Sequence, residues 1–301
     1  MAYTQTNPQV LEAGLKKYSD KFIAELQNWT VPLQGFATNF TDEIGADAND
    51  GIFVPFVGAN TTADFNVESK NFKTGGEVQK QGALVTLSAH KINSFTIRPN
   101  DVASFRPTFW EGKATMNAVD LATTIFADIA KVASDAKVTN THALPATLGV
   151  EDIVELAKVC TNKGIKPQMA TLYLTNDQYF DFLKAMRYDV TGNTAIINGN
   201  LNGVLVGFKQ IVCLPPQCTA GFIATPDFVC VAGRPYVGAM VGNGGEIIRE
   251  NIVTEADTGL PFVQTVVRDG ATKNMIHSVD CWYGAELGNK ACGIKLTRSA
   301  S

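Results

Sequence analysis

The sequence has few of the residues and motifs on which catalysis or metal binding usually depends. Only three histidines occur in 301 residues, and His90, His142 and His277 lie far apart in the chain. The zinc-protease pattern H-E-x-x-H, the serine elbow G-x-S-x-G and the phosphate-binding loop G-x-x-x-x-G-K-[ST] are all absent. The six cysteines include no C-x-x-C pair, the usual spacing of a zinc or redox site. We therefore expect a protein that is not an enzyme, with no catalytic residue, no bound metal and no cofactor.

An excess of positive charge is also missing. The chain has 25 basic and 29 acidic residues, a net charge of −4, whereas a protein that grips nucleic acid through its phosphates needs a basic face. Apolar runs are short, as at residues 203–206, and the N-terminus lacks the basic and apolar regions of a secretory signal. We expect no membrane segment and no secretion, and hence reduced cysteines that act mainly as small buried apolar residues.

Residues 1–51 are predicted to form an N-terminal arm. An amphipathic helix is expected over residues 8–28, because Leu15, Tyr18, Phe22 and other apolar residues lie near one stripe. The stretch that follows is rich in Gly, Asp and Asn, so we expect it to rest on the body of the protein or on a neighbour. Its acidic residues lack the fixed spacing and distal glutamate of a calcium loop. We interpret them as an acidic strip that contacts solvent or another subunit: Asp42, Glu43, Asp47 and Asp50.

Residues 52–100 are predicted to be a long β-hairpin with its leading strands. Alternating apolar residues on both sides flank a break at Gly75-Gly76, which is the pattern of two antiparallel strands joined by a turn. The tip is polar and carries lysines, and a polar hairpin is not stable alone in water. We therefore predict that the tip contacts another subunit through these residues: Lys70, Asn71, Phe72, Lys73, Thr74, Gly75, Gly76, Glu77 and Lys80.

A long helix is predicted over about residues 110–138, where proline is absent and glycine occurs only at Gly112. At about 1.5 Å per residue, such a helix is a rod of roughly 37 Å. Its apolar residues recur every three or four positions and predict one buried stripe: Met116, Val119, Ala122, Ile125, Phe126, Ile129, Val132 and Ala133. The aromatic residues at its start are interpreted as core packing rather than as a platform for base stacking: Phe105, Phe109 and Trp110.

The remainder of the chain alternates between helix and strand and then becomes antiparallel β-sheet. Helices are predicted over residues 151–163 and from a capping box at residues 175–178, with strands at 169–174, 204–208 and 211–214. Thr225, Pro226 and Asp227 have the residue types of a helix start and predict one or two helical turns through Val231. From Glu246 onward, two turn signals separate three apolar strands, which predicts a meander.

The order of these pieces resembles the major capsid (coat) proteins of tailed double-stranded-DNA bacteriophages, the family with the Hong-Kong-97 coat fold. The hairpin around residues 70–80 is similar to the family's extended loop, and residues 104–137 are similar to its spine helix. Residues 171–179 and 224–229 resemble segments of the axial domain, and residues 257–284 resemble the closing strands of the peripheral domain. The specificity lies in the order of the pieces, because each motif alone is weak.

The resemblance implies an α+β, Hong-Kong-97-like phage capsid fold. Its parts would be an N-terminal arm (1–51), an extended hairpin loop with leading strands (52–100), a peripheral domain of spine helix and antiparallel sheet (101–140 and 241–301), and an α/β axial domain (141–240). The implied function is that of a structural subunit of an icosahedral phage head, which self-assembles into hexamers and pentamers and encloses double-stranded DNA without sequence-specific binding. A separate scaffolding protein and a portal are implied partners, and a membrane is not. Assembly would take place in the host cytoplasm and end in the virion.

Three other interpretations stay open at the level of sequence. An encapsulin-type nanocompartment shell has the same fold and would need an inner groove for cargo, formed partly by the N-terminal helix. An α/β enzyme with a β appendage would be a monomer that binds a small molecule. A tail or head-completion protein would assemble into tubes or rings.

Overall fold

The computed structural model of the protein describes residues 8–41, 51–56, 81–98, 107–189, 202–205, 207–236, 245–255 and 258–298. Its helices are α1 (Pro8–Thr30), α2 (Pro107–Ala133), α3 (Val150–Asn162) and α4 (Asn176–Asp189). The strands of the N-terminal half are β1 (Ala37–Phe40), β2 (Ile52–Phe56), β3 (Gln81–Val85), β4 (Ala89–Ile97) and β5 (Thr141–Leu144). The later strands are β6 (Thr171–Leu174), β7 (Asn202–Leu205), β8 (Phe208–Cys213), β9 (Phe222–Ala224), β10 (Val229–Gly233), β11 (Glu246–Thr254), β12 (Pro261–Arg268), β13 (Met275–Leu287) and β14 (Gly293–Arg298). The predicted α+β class is confirmed.

The first sheet has the strand order β1-β10-β13-β12-β11, with β4 also paired to β13. Strand β13 is 13 residues long, and residues 275–280 pair with β12 on one edge and with β4 on the other. Its second half pairs with β10. The run β11-β12-β13 is antiparallel throughout, so the meander predicted from residue 246 onward is confirmed.

The second sheet is mixed and has the order β5-β14-β9-β6-β8-β7. Its core contains residues of α3 and α4, among them Ile153, Leu156 and Phe182, together with Leu172 and Ile294 from the sheet. The predicted strand at 169–174 is confirmed as β6, whose four residues are all buried. Two strands pair in a different sheet from most of the range in which they were predicted. Residues 229–233, within the range predicted for the axial domain, form β10 of the first sheet. Residues 293–298, within the range predicted for the peripheral domain, form β14 of the second sheet.

The helix ends follow local sequence signals. Gly164 follows α3 with φ +77°, a left-handed conformation that glycine adopts without strain, and so ends that helix where the sequence predicts. At the start of α4, the side-chain Oε1 of Gln178 accepts a hydrogen bond of 3.1 Å from the backbone N–H of Thr175. This bond is one half of the predicted capping box.

Helix α2 lies in the main core and packs against both α1 and the first sheet. Ile125, Phe126, Ile129 and Ala133 are buried as predicted. Met116 is 65% exposed, so its predicted place in the buried stripe is wrong. The buried line of the N-terminal half runs instead through Ala114, Asn117, Ala118 and Leu121, because α1 packs against that side of the helix.

The helix predicted at Thr225-Pro226-Asp227 is also wrong. The backbone N–H of Phe228 donates to the carbonyl oxygen of Thr225 at 3.0 Å, which closes a single turn, and the chain then enters β10. Proline in the second position favours such a β-turn as much as a helix start. The five residues of β10 are all buried, and this apolar run gains more from a central strand than from an exposed helical turn.

Candidate intersubunit surfaces

Strands β2 and β3 form an antiparallel pair that is separate from both large sheets. The register places Ile52 opposite Val85 and Phe56 opposite Gln81. Phe56 and Gln81, the last and first described residues on either side of the predicted tip, are therefore adjacent. This pair is the base of the predicted hairpin, and the antiparallel pairing that the sequence predicts for its leading strands is confirmed there.

The base of the hairpin is fixed to the first sheet by an apolar cluster of its own. Val54 and Val85 are buried against Cys230, Ala232 and Trp282 of the sheet. The indole N–H of Trp282 donates a hydrogen bond of 3.2 Å to the carbonyl oxygen of Leu87. From β1, the side-chain amide of Asn39 donates a hydrogen bond of 2.7 Å to the carbonyl oxygen of Phe53 in β2. These apolar contacts and hydrogen bonds together fix the base of the hairpin on the first sheet.

The opposite face of the same strand pair is apolar and exposed. Phe53 and Leu84 are directly opposite each other in the register and are 44% and 65% exposed. Exposed apolar groups that are held on a rigid strand pair are typical of contact surfaces between proteins. Neither residue belongs to the contact sites predicted from the sequence. A signal was present in the pairs Phe53-Val54 and Leu84-Val85, because adjacent apolar residues in a strand point to opposite faces and predict that both faces are covered.

The intersubunit residues predicted from the sequence all lie outside the described residues. This holds for the hairpin-tip residues, namely Lys70, Asn71, Phe72, Lys73, Thr74, Gly75, Gly76, Glu77 and Lys80. It also holds for the acidic residues Asp42, Glu43, Asp47 and Asp50. Their roles stay predictions. The described residues that flank them are Thr41 and Gly51 for the acidic stretch, and Phe56 and Gln81 for the hairpin.

The first helix of the predicted arm is docked on the body. Tyr18, Phe22 and Leu26 are buried in the main core. The side-chain amide of Asn117 in α2 donates to the hydroxyl of Tyr18 at 2.9 Å. Gly14 lies so close to the indole of Trp110 that an added Cβ would come within 2.6 Å of the ring. The predicted helix over 8–28 is confirmed, and Trp110 is a core residue, as predicted.

The histidines occupy separate environments. His277 is fully buried in β13, whereas His90 is exposed and its Nε2 lies 2.5 Å from a carboxylate oxygen of Asp280. His142 lies in β5 of the second sheet. Among the residues that the structure describes, no three His, Cys, Asp or Glu side chains are grouped closely enough to hold a metal ion.

The cysteines, all of which lie in the described ranges, are free thiols. Cys160, Cys230 and Cys281 are buried, as predicted for small apolar residues, and the other three are half-buried. Burial raises the pKa of the Cys160 thiol to about 11, and burial likewise raises the pKa of Cys218 to about 11. These thiols are protonated at neutral pH and are poor nucleophiles.

An open cavity of about 450 Å³ lies at the start of α4. Its walls include Thr175, Gln178, Cys218 and Arg298. Gln178 is engaged in capping the helix, and Cys218 is protonated. Asp177 also lines the cavity, and its carboxylate lies 4.0 Å from the guanidinium of Arg298. None of the helices in the described ranges combines the length and apolarity that a membrane crossing requires.

Known proteins resemble this chain in fold but not in sequence. No family model and no curated protein matches the sequence. Solved structures do match. A virus-like particle from Pyrococcus furiosus is 8% identical, with a TM-score of 0.53 over 94% of this chain and 98% of that one. A chain from Gordonia phage Cozz is 12% identical, with a TM-score of 0.52 over 90% and 87% of the two chains.

A third match is the capsid of cyanophage P-SCSP1u, which is 13% identical, with a TM-score of 0.50 over 88% of each chain. At these identities the likeness is one of fold. The likeness covers 88% to 94% of this chain in these three structures. The chain has the Hong-Kong-97-like fold of phage major capsid proteins.

Proposed function

We propose that this chain is the structural subunit of an icosahedral phage head, in which copies assemble as hexamers and pentamers and enclose double-stranded DNA. The observation that supports this most is the extent of the shared fold. The likeness to the capsid of cyanophage P-SCSP1u covers 88% of each chain, so little of the chain is left over for a domain with another task. On the same ground we propose a purely structural role, without catalysis.

The exposed apolar face of the hairpin base supports a contact with a neighbouring subunit. Phe53 and Leu84 are held outward by strands whose other face is fixed to the first sheet. We propose that a neighbour covers this face and that the hairpin tip at residues 70–80 lies on the same neighbour. The tip lysines Lys70, Lys73 and Lys80 would pair with acidic groups there. Exposed ion pairs contribute only about 0–1 kcal/mol each, so they set the register of the contact more than its strength.

The remaining predicted parts complete the proposal. The acidic strip of residues 42–50 would provide a second intersubunit contact. The region 141–240, with most of the second sheet, would form the axial domain at the centre of each hexamer or pentamer. The regions 101–140 and 241–301 would form the peripheral domain. Many weak contacts that are repeated around a closed shell add up to a stable assembly.

The charge of the chain suits a container for DNA. With a net charge of −4, the inner wall would not bind strongly to the polymer that it encloses, so the DNA would be held without sequence-specific contacts. A separate scaffolding protein and a portal would complete the head. Assembly would take place in the host cytoplasm, and the finished protein would be part of the virion.

Electron microscopy of the purified full-length chain, expressed alone and with the genes that adjoin it, tests the proposal. We expect closed shells of uniform diameter with clusters of five and six subunits. Tubes or rings would instead indicate a tail or head-completion protein. A monomer in size-exclusion chromatography under all these conditions, with a melting temperature that a small molecule raises, would overturn the proposal in favour of an enzyme.

A nanocompartment of the encapsulin type is the second candidate, and one observation favours it. One of the matching structures is a virus-like particle from Pyrococcus furiosus, and its likeness covers 94% of this chain. The contents of shells isolated from cells that express only this chain distinguish the two candidates. A co-purified enzyme identified by mass spectrometry would favour the nanocompartment. Shells that are empty alone and fill with DNA when the adjoining genes are present would favour the phage head.

A further inference from the structure

His277 lies at the contact between α1 and the first sheet, where it has no access to water. Its side chain is 0% exposed. The ring centroid is 4.2 Å from that of Tyr18 on α1 and 4.9 Å from that of Phe95 on β4. The imidazole is therefore enclosed by the helix on one side and by the sheet on the other.

Within the described ranges, only one of the two ring nitrogens of His277 has a hydrogen-bond partner. Nε2 lies 2.8 Å from the side-chain nitrogen of Gln264 on β12. The side-chain oxygen of Gln264 already accepts a hydrogen bond of 2.8 Å from the hydroxyl of Ser19 on α1. Nδ1 is buried and makes no hydrogen bond within the described part of the chain. A neutral ring tolerates this arrangement, but an imidazolium has two donors and would leave a charged N–H unpaired in the core.

Among the residues that the structure describes, the groups that face the ring offer no charge that would balance a proton. Tyr18, Phe95 and Gln264 are all uncharged at neutral pH, and burial raises the pKa of Tyr18 further. Asn117 of α2, which reaches the same site through the Tyr18 hydroxyl, is neutral as well. The charged residues that adjoin Tyr18 on α1, Lys17 and Asp20, are exposed to solvent.

We propose that His277 makes the docking of α1 sensitive to acid, so that protonation of the ring releases α1 from the first sheet while both sheets stay folded. Release lets the imidazolium reach water, which removes the cost of the buried charge. It also uncovers the apolar face of α1 at Tyr18, Phe22 and Leu26. This inference concerns a single subunit and does not depend on the proposed function.

The direction and size of the effect follow from proton linkage. Burial lowers the pKa of docked His277 from its ordinary value of 6.5 to about 4. A lowered histidine pKa means that the released form binds the proton more tightly. Docking is therefore fully favoured above pH 6.5, is weakened as the pH falls from 6.5 towards 4, and is weakened no further below that. Between pH 7 and pH 4.5, the released fraction should rise about 50-fold.

Hydrogen–deuterium exchange on the full-length chain tests the inference, because protection factors remove the intrinsic pH dependence of exchange. We expect the protection of α1 to fall about 50-fold between pH 7 and pH 4.5, with the slope of a single proton, while β6 and β14 of the second sheet keep theirs. Unchanged protection of wild-type α1 over this range would overturn the inference, as would equal loss in α1 and the second sheet.

Two substitutions assign the effect to the ring. His277→Phe keeps an aromatic group in the same space without a titratable nitrogen, and its α1 protection should be the same at both pH values. His277→Gln is the second variant if the first fails to fold, and it should behave in the same way. A loss of protection in either folded variant that equals the wild-type loss would show that another group is responsible.

Discussion

Gly284 in β13 lies directly against the backbone of Thr86, so closely that an added Cβ would overlap the Thr86 carbonyl oxygen. Thr86 follows β3 and joins the hairpin base to β4. The absence of a side chain at position 284 thus allows the chain that carries the hairpin to cross the sheet at van der Waals distance. This contact and the hydrogen bond from Trp282 to Leu87 fix the same crossing segment.

The first prediction is that Gly284→Ala displaces this crossing segment. The methyl group meets backbone, which cannot rotate away, so we expect the free energy of unfolding to fall by about 1–3 kcal/mol in urea denaturation. The matched control is Gly112→Ala in α2, where an added Cβ has no neighbour within 4 Å. It should be neutral or stabilise by up to about 1 kcal/mol, because alanine is the better helix former. Equal effects at the two positions would contradict the close contact.

The second prediction compares two positions on α2. Ile129 is fully buried in the main core, and Ile129→Asp places a carboxylate there without a partner. We expect a loss of more than about 4 kcal/mol and little soluble protein. Met116→Asp on the exposed side should cost no more than about 0.5 kcal/mol and leave the soluble yield unchanged. A soluble Ile129→Asp variant with a normal unfolding midpoint would show that this side of α2 is not buried.

The third prediction concerns Asp128, which joins α2 to the first sheet. Its carboxylate lies 3.0 Å from Lys91 Nζ and 2.8 Å from Lys131 Nζ, and it accepts a hydrogen bond of 2.9 Å from the Tyr283 hydroxyl. Burial by itself raises the pKa of Asp128, but the hydrogen bonds from Lys131, Lys91 and Tyr283 together outweigh it and the pKa is lowered. Asp128→Asn should therefore lower the free energy of unfolding by about 1–2 kcal/mol at pH 7.

The pH dependence of that difference follows from the sign of the shift. A carboxylate whose pKa is lowered in the folded state stabilises it above the ordinary value of 3.8, and this contribution is lost as the pH falls through the lower folded value. The wild type and Asp128→Asn should thus converge below pH 3.8. Asp181→Asn, which removes an exposed pair with Lys184, serves as the control and should change stability by less than about 1 kcal/mol. A difference that grows on acidification would contradict this account of Asp128.

The fourth prediction is that deletion of residues 71–79 separates folding from assembly. Phe56 and Gln81 are adjacent in the register, so a shorter connection can still join β2 to β3. The deleted chain should melt within a few degrees of the wild type and remain a monomer in size-exclusion chromatography. Shells of normal size in electron micrographs would refute the role that we propose for the hairpin tip.

Patterns that depend on neighbouring residues predicted much of this fold. The meander from residue 246, the buried strand β6, helix α2 and the pairing at the hairpin base all follow from local periodicity and turn residues. Met116 was misplaced because periodicity defines a helical stripe but does not show which side of the stripe a second helix covers. The turn at Thr225–Asp227 was misassigned because its residues suit a helix start and a β-turn equally well.

Local sequence patterns also do not predict the exposed face of the hairpin base or the surroundings of His277. The outward face of Phe53 and Leu84 depends on which side of the strand pair lies on the first sheet, and that sheet is formed mainly by residues far along the chain. The environment of His277 likewise requires α1, β4 and β12 to meet at one point. No local pattern carries this information, because such contacts join residues that are distant in sequence.

Strand β14 has a consequence for the order of events during synthesis. It lies between β5 and β9, and Thr297 contacts His142, a residue 155 positions earlier in the chain. A nascent chain therefore cannot close its second sheet until residues 293–298 have left the ribosome, whereas α1, α2 and β4 are available long before. A product truncated before residue 293 lacks the strand that joins β5 to β9, so it cannot supply finished subunits.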